Sequence, residues 1–166
     1  SKPYNSSIKV FMSRTIYNFI KEPLNQDYYD LLGYSVIDCK HLLLVVRNSI
    51  QIDSEGKNIQ LKLIPFLCNV SQKNEWPGTT LSNSNATIYK YYLNPECIAI
   101  IRKFSNRLYQ WQQPTYPEDL CLLRDDDTPW LVSIAHESDG FLLLSKDEAT
   151  RLLISLPKLQ AIIKRG

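Results

Sequence analysis

Glycine is scarce in this chain: the 166 residues include five, none set in G-x-G-x-x-G or G-x-x-x-x-G-K. A backbone that cradles phosphate needs glycine at such spacings, so the common nucleotide-binding loops are excluded. Histidine is scarcer still, with only His41 and His136, and neither H-E-x-x-H nor G-x-S-x-G occurs. That removes the familiar zinc-protease and serine-hydrolase signatures. Cys39, Cys68, Cys97 and Cys121 stand far apart, with no C-x-x-C pair and no histidine at ligand spacing, so neither a metal site nor a cofactor is expected. Each lies in an apolar segment and is read as a small buried hydrophobe rather than a disulfide partner or a reactive thiol.

An excess of one charge is also missing. Nineteen basic residues against seventeen acidic ones leave a formal charge of +2, too near neutral to argue for wrapping nucleic acid or coating an anionic membrane. The longest apolar run, around residues 42–46, is interrupted by Asp38, Lys40 and Arg47, well short of the roughly 18 residues that a membrane span needs. The expectation is a cytoplasmic chain without nucleic-acid or membrane partners. Three N-x-S/T sequons, at Asn5, Asn69 and Asn85, are what chance supplies in a chain so rich in Asn and Ser.

What is present is enough apolar residue, 44% of the chain, to build one core over residues 1–166. Apolar residues fall on one helical face in "SIKVFMSRTIYNFIK" (7–21), predicting a helix that ends before Pro23. "DYYDLLGYSVIDCKHLLLVVRNSI" is read as a second helix, although its end is rich in β-branched residues. "DSEGK" (53–57) signals a turn and "IQLKLIPFLCNV" a strand, with Pro65 suited to an edge or a bulge. Residues 71–86 form a long polar loop around Trp76, and "TIYKYYL" a second strand. In "NPECIAIIRKFSNRLYQW" (94–111), Asn94 caps, Pro95 opens, and Cys97, Ile100, Ile101, Phe104, Leu108 and Trp111 form the buried stripe. The opposite face, with Arg102, Lys103 and Arg107, is taken as solvated; RNA binding through it ranks last, because no RNP-like motif accompanies it.

The carboxy-terminal third carries the chemistry-bearing residues. "EDLCLLR" and "PWLVSIAH" flank Asp125, Asp126, Asp127 and Thr128 as a hairpin; with Arg124 facing Pro129, Cys121 lies opposite Val132, and Cys121, Leu123, Trp130, Val132 and Ile134 share one face, while "FLLLS" returns after "HESDG" as a third strand. In that register His136 lies about 13 Å along the ladder from Cys121, so no Cys–His dyad forms. The acidic run lacks the glycine and distal Glu of a calcium loop. Ser145 and Glu148 spell a capping box for a helix, and a short helix after Pro157 closes the chain. The fold class that follows is α+β: amphipathic helices packed on a mainly antiparallel sheet with a carboxy-terminal three-stranded meander.

The segment "YPEDLCLLRDDDTPWLVSIAHESDGFLLLS", about a fifth of the chain, resembles small bacterial immunity proteins, which bind and block a cognate toxin. The shared features are an E-D-L-C strand, a polar turn, a P-W-L strand and an H-E corner. The resemblance implies a non-catalytic protein whose partner is a protein toxin. The chain departs from the strongly acidic character of many nuclease inhibitors; only Asp125, Asp126, Asp127, Glu137 and Asp139 form a local carboxylate set. Trp76 and Tyr116, set among loops, are the expected exposed aromatic anchors of the binding surface. The alternative is a small hydrolase or transferase that uses His136 and Glu137 as its acid–base pair.

Overall fold

The computed structural model describes residues 13–166. In chain order the elements are β1 (Arg14–Phe19), α1 (Asn25–Ser35), β2 (His41–Arg47), α2 (Ser54–Leu63), β3 (Leu67–Lys73), β4 (Glu75–Trp76), β5 (Thr79–Thr80), β6 (Ala86–Tyr92), α3 (Pro95–Phe104), β7 (Glu118–Leu123), β8 (Pro129–Ile134), β9 (Asp139–Ser145), α4 (Lys146–Ser155) and β10 (Ile163–Arg165). Eight strands make one sheet in the order β10-β1-β9-β8-β7-β2-β6-β3, every neighbouring pair antiparallel. With four helices among the described residues, this is the α+β architecture expected, including the β7-β8-β9 meander. Among the described residues, no helix is long and apolar enough to cross a membrane.

The helices lie on one face. Leu31 and Leu32 of α1, Ile59 and Leu63 of α2, Ile101 of α3 and Leu152 of α4 pack with Leu42, Leu44, Leu122 and Leu142 of the sheet. Burying each such side chain contributes about 1.5–3 kcal/mol. The residues that alternate with these, Leu43, Val45, Cys121, Leu123 and Val132, point to the other face and pack with Trp76, Ala86 and Ile88. The middle of the sheet is therefore buried on both sides.

This explains where periodicity misled. The helix expected over residues 7–21 is instead strand β1 from Arg14 to Phe19, paired with Leu142 and its neighbours in β9; residues 7–12 lie outside the described region. Pairing on both sides of β1 overrides a local helical pattern. The second expected helix is helical only to Ser35; "HLLLVVR" is β2, whose continuous apolar run reflects burial on two faces rather than a helical stripe. "DSEGK" is not a free turn but the start of α2. Asp53 Oδ1 accepts from Glu55 N at 3.1 Å and Gly56 N at 3.2 Å. A Cβ on Gly56 would stand 2.3 Å from Ile52 Cγ1, so only glycine lets the helix start pass there. The strand read in "IQLKLIPFLCNV" begins only at Leu67, after α2 and a 3₁₀ turn carrying Pro65. The polar loop 71–86 is shorter than expected, because β3 runs to Lys73 and β4–β5 form a small hairpin. The helix at 94–111 ends at Phe104, and Leu108 and Trp111 are buried from a 3₁₀ turn and the loop that follows. The expected last helix is a 3₁₀ turn, Pro157–Ala161, followed by β10.

The meander keeps its predicted register at Leu122 and Leu131, then slips by one so that Leu123, not Arg124, faces Pro129. With the slip, Trp130 enters the helical side and stacks on Tyr34 at 6.3 Å, away from the face its alternation predicted. The capping box forms as read, Glu148 N to Ser145 Oγ at 3.2 Å and Ser145 N to Glu148 Oε1 at 2.9 Å.

Glu148 does more than cap. The buried Arg124 guanidinium meets it twice, at 2.9 and 2.6 Å, and donates to the Pro129 and Leu143 carbonyls, both at 2.7 Å. Burial pushes the Glu148 carboxyl up, but Arg124 and the Ser145 amide together hold it below the usual range. A depressed carboxyl adds stability that is present at neutral pH and is lost as acid protonates the folded chain. Glu148→Ala leaves Arg124 charged, buried and unpaired, and is expected to cost about 3–5 kcal/mol. Urea unfolding at pH 7 measures it, and the difference from wild type shrinks toward low pH.

Candidate functional site

The residues singled out by sequence do not form one patch. Asp125, Asp126 and Asp127 sit on the β7–β8 turn, whereas Glu137 and Asp139 sit on the β8–β9 corner. Six residues of β8 separate the two ends, about 20 Å at strand rise. The carboxylates cannot present one continuous phosphate-like surface. Within the turn, Asp126 accepts from Thr128 Oγ1 at 2.6 Å and Thr128 N at 3.1 Å, and the Thr128 hydroxyl leads the contacts that hold its carboxyl low. Asp127, at φ 66°, meets Lys90 Nζ at 2.7 Å and lies 3.1 Å from His41 Nδ1. Asp126 shapes the corner and Asp127 is paired within it.

Trp76 and Tyr116 are not exposed anchors: they are 7% and 5% exposed. Being surrounded by loops does not expose an aromatic ring when the loops fold back onto the sheet. Tyr116 donates to the Phe104 carbonyl, accepts from Gln110 Nε2 and packs 5.2 Å from Trp111. Trp76 pins the β4–β5 hairpin over the second face of the sheet, and its turn residue Gly78, at φ 90°, leaves no room for a Cβ, which would lie 2.8 Å from Val132 Cγ1.

Trp76 ends in a polar junction. Its Nε1–H donates to Asp119 Oδ2 at 3.0 Å, and Ala135 N donates to Asp119 Oδ1 at 2.9 Å. Arg47 lies over the indole at 5.5 Å and donates from Nε to Glu118 Oε2 at 2.7 Å. His136, at the rim, has Nδ1 3.4 Å from Arg47 Nη2 and Nε2 3.7 Å from Glu137 Oε1. Burial raises the Glu118 and Asp119 carboxyls against the pull of Arg47. Glu118, Asp119 and His136 bring one ligand atom each within 4.8 Å of one another, the set that could hold a cation. Yet these carboxylates already accept from Arg47, Trp76 and Ala135, and the guanidinium supplies the positive charge that a metal would bring. The junction's chemistry is the anchoring of the hairpin to the sheet end. Cys121 is sealed in the second cluster, whereas the His136 imidazole stands at the surface. Burial raises the Cys39, Cys97 and Cys121 thiols, that of Cys97 to about 12, which keeps them neutral.

A different surface was not found by sequence reading. Among the described residues, β3 is the last strand of the sheet and has β6 as its one strand neighbour. Beside it Leu61, Ile64, Leu67 and Val70 are 63%, 56%, 37% and 48% exposed. Leu61, Ile64 and Leu67 line a groove of about 480 Å³ with Lys57, Gln60, Tyr89 and Tyr91. Val70 pairs with Tyr89 and so shares the groove's face. The signal was in the chain: L-x-x-I-x-x-L-x-x-V from 61 to 70. It crosses a helix end, a 3₁₀ turn and a bulged strand, so no single period reveals it.

The chain matches no protein-family model, no curated protein and no solved structure.

The junction makes a pH-dependent prediction. The raised carboxyls of Glu118 and Asp119 keep protons in the folded chain where the unfolded chain has released them, so stability falls as pH rises through that window. Glu118→Gln is expected to make the slope of unfolding free energy against pH less negative there. Asp119→Asn turns an amide N–H₂ toward one of two donors and is expected to cost about 1–3 kcal/mol in chemical denaturation.

Proposed function

We propose that this protein is a non-catalytic, protein-binding module: an immunity protein that acts in the cytoplasm by binding and blocking a cognate bacterial toxin. The observation that carries the reading is the open edge at β3. Apolar residues exposed singly are ordinary, but four in one stripe, continuous with a groove and with strand backbone that is unpaired among the described residues, support a reading as a protein-contact surface. The resemblance of residues 116–145 to immunity proteins supports the more specific part of the reading.

The hydrolase alternative has less support. His136 and Glu137 are 3.7 Å apart, beyond hydrogen-bond reach, and both lie on an exposed corner.

The test is co-expression with the product of the adjacent upstream gene. Expected are nanomolar binding and restored growth of cells producing that protein. Absence of both binding and protection overturns the immunity reading.

A further inference from the structure

The edge at β3 also specifies what kind of segment fits it. Among residues 69–73, alternate residues turn both N–H and C=O toward β6, and the others turn theirs away from it, where no strand of the described residues meets them. The two faces of the edge differ sharply. On the helical side stand Leu67 and Val70 beside Ile64 and the groove. On the other side stand Asn69, Ser71 and Lys73. Lys73, and Lys57 in the groove wall, make no ion pair among the described residues. Any strand added here must alternate to match, because its own side chains alternate.

Resting on the protein-binding reading above, we propose that β3 takes an extended segment of the partner as a ninth strand, with apolar side chains toward Leu67 and Val70 and acidic ones toward Lys73. Strand addition of this kind draws affinity from main-chain hydrogen bonds and selectivity from alternate side chains. A second copy of the chain fits the place poorly. Antiparallel self-pairing centred on Val70 sets Asn69 against Ser71 and, because residues 67–73 hold no carboxylate, brings no acidic partner to either copy's Lys73. An isolated helix would leave the edge peptides unpaired.

The probe is a display library of random 12-residue peptides, selected on the intact chain. Enriched peptides are expected to alternate apolar residues with Asp or Glu. Methylating alternate backbone nitrogens of a selected peptide is expected to weaken it at least about tenfold, a difference of about 1.4 kcal/mol. Val70→Glu should weaken selected peptides similarly; Lys73→Glu should shift selection from acidic to basic residues. Both positions are exposed, and circular dichroism checks that each variant folds. The proposal is overturned by selection of helical or basic peptides, by no enrichment, by indifference to methylation, or by self-association that masks the edge. The rescue assay separates the two claims. If wild type protects and Val70→Glu protects equally, the immunity reading stands and strand addition at β3 falls. If alternating peptides bind but wild type protects nothing, the edge is a binding site and the immunity reading falls.

Discussion

Two central strands buried on both faces are the constraint on which the rest of the structure depends. β2 and β7 send Leu42, Leu44 and Leu122 toward the helices, and Leu43, Val45 and Cys121 the other way. Four helices cover the first face. The second needs a cover of its own, and the chain supplies it from its most polar region: a two-residue-per-strand hairpin whose Trp76 and Gly78 lie flat on the sheet. The hairpin is too small to hold itself there. Its attachment is the buried Asp119, in left-handed backbone at φ 56°, which takes the indole N–H and a backbone N–H from Ala135 at the β8–β9 corner. Arg47 holds the ring from above and compensates Glu118 beside it. On this geometry the buried carboxylates fasten a lid on a core.

Local rules recovered the elements whose signals are local. The Asn94 cap with Pro95 behind it, the Ser145–Glu148 box, the β7–β8 turn and the register at Leu122 could all be read from a few neighbouring residues. β2 could not, because a strand buried on both faces has no alternation to distinguish it from a buried helix. Nor could the role of Trp76. Its partner Asp119 is 43 residues away, and nothing near either residue announces the other. The acidic residues, conspicuous as a run, proved to be split between two ends of one strand. The apolar stripe from Leu61 to Val70 was inconspicuous because it passes through three backbone conformations.

Coverage stops one strand short of the sheet's edge. Tyr89 and Tyr91 stack at 6.5 Å at the margin of the helical layer, and beyond them β3 carries Val70 into solvent. Natural sheets blunt such edges with charge, bulges or covering segments. Here the bulge is confined to the start of β3 near Cys68, and Lys73 stands at its far end, leaving the stretch between them regular and open. The same geometry that makes this edge a liability for an isolated chain makes it useful to one that meets a partner.

Amide hydrogen exchange on the free chain tests this asymmetry most directly. The account predicts that amides of residues 42–45 and 120–122 exchange only through global unfolding, while along residues 69–73 fast and slow amides alternate, the fast ones facing away from β6. Uniform protection along β3, equal to that of β2, would contradict it, because the edge would then already be covered.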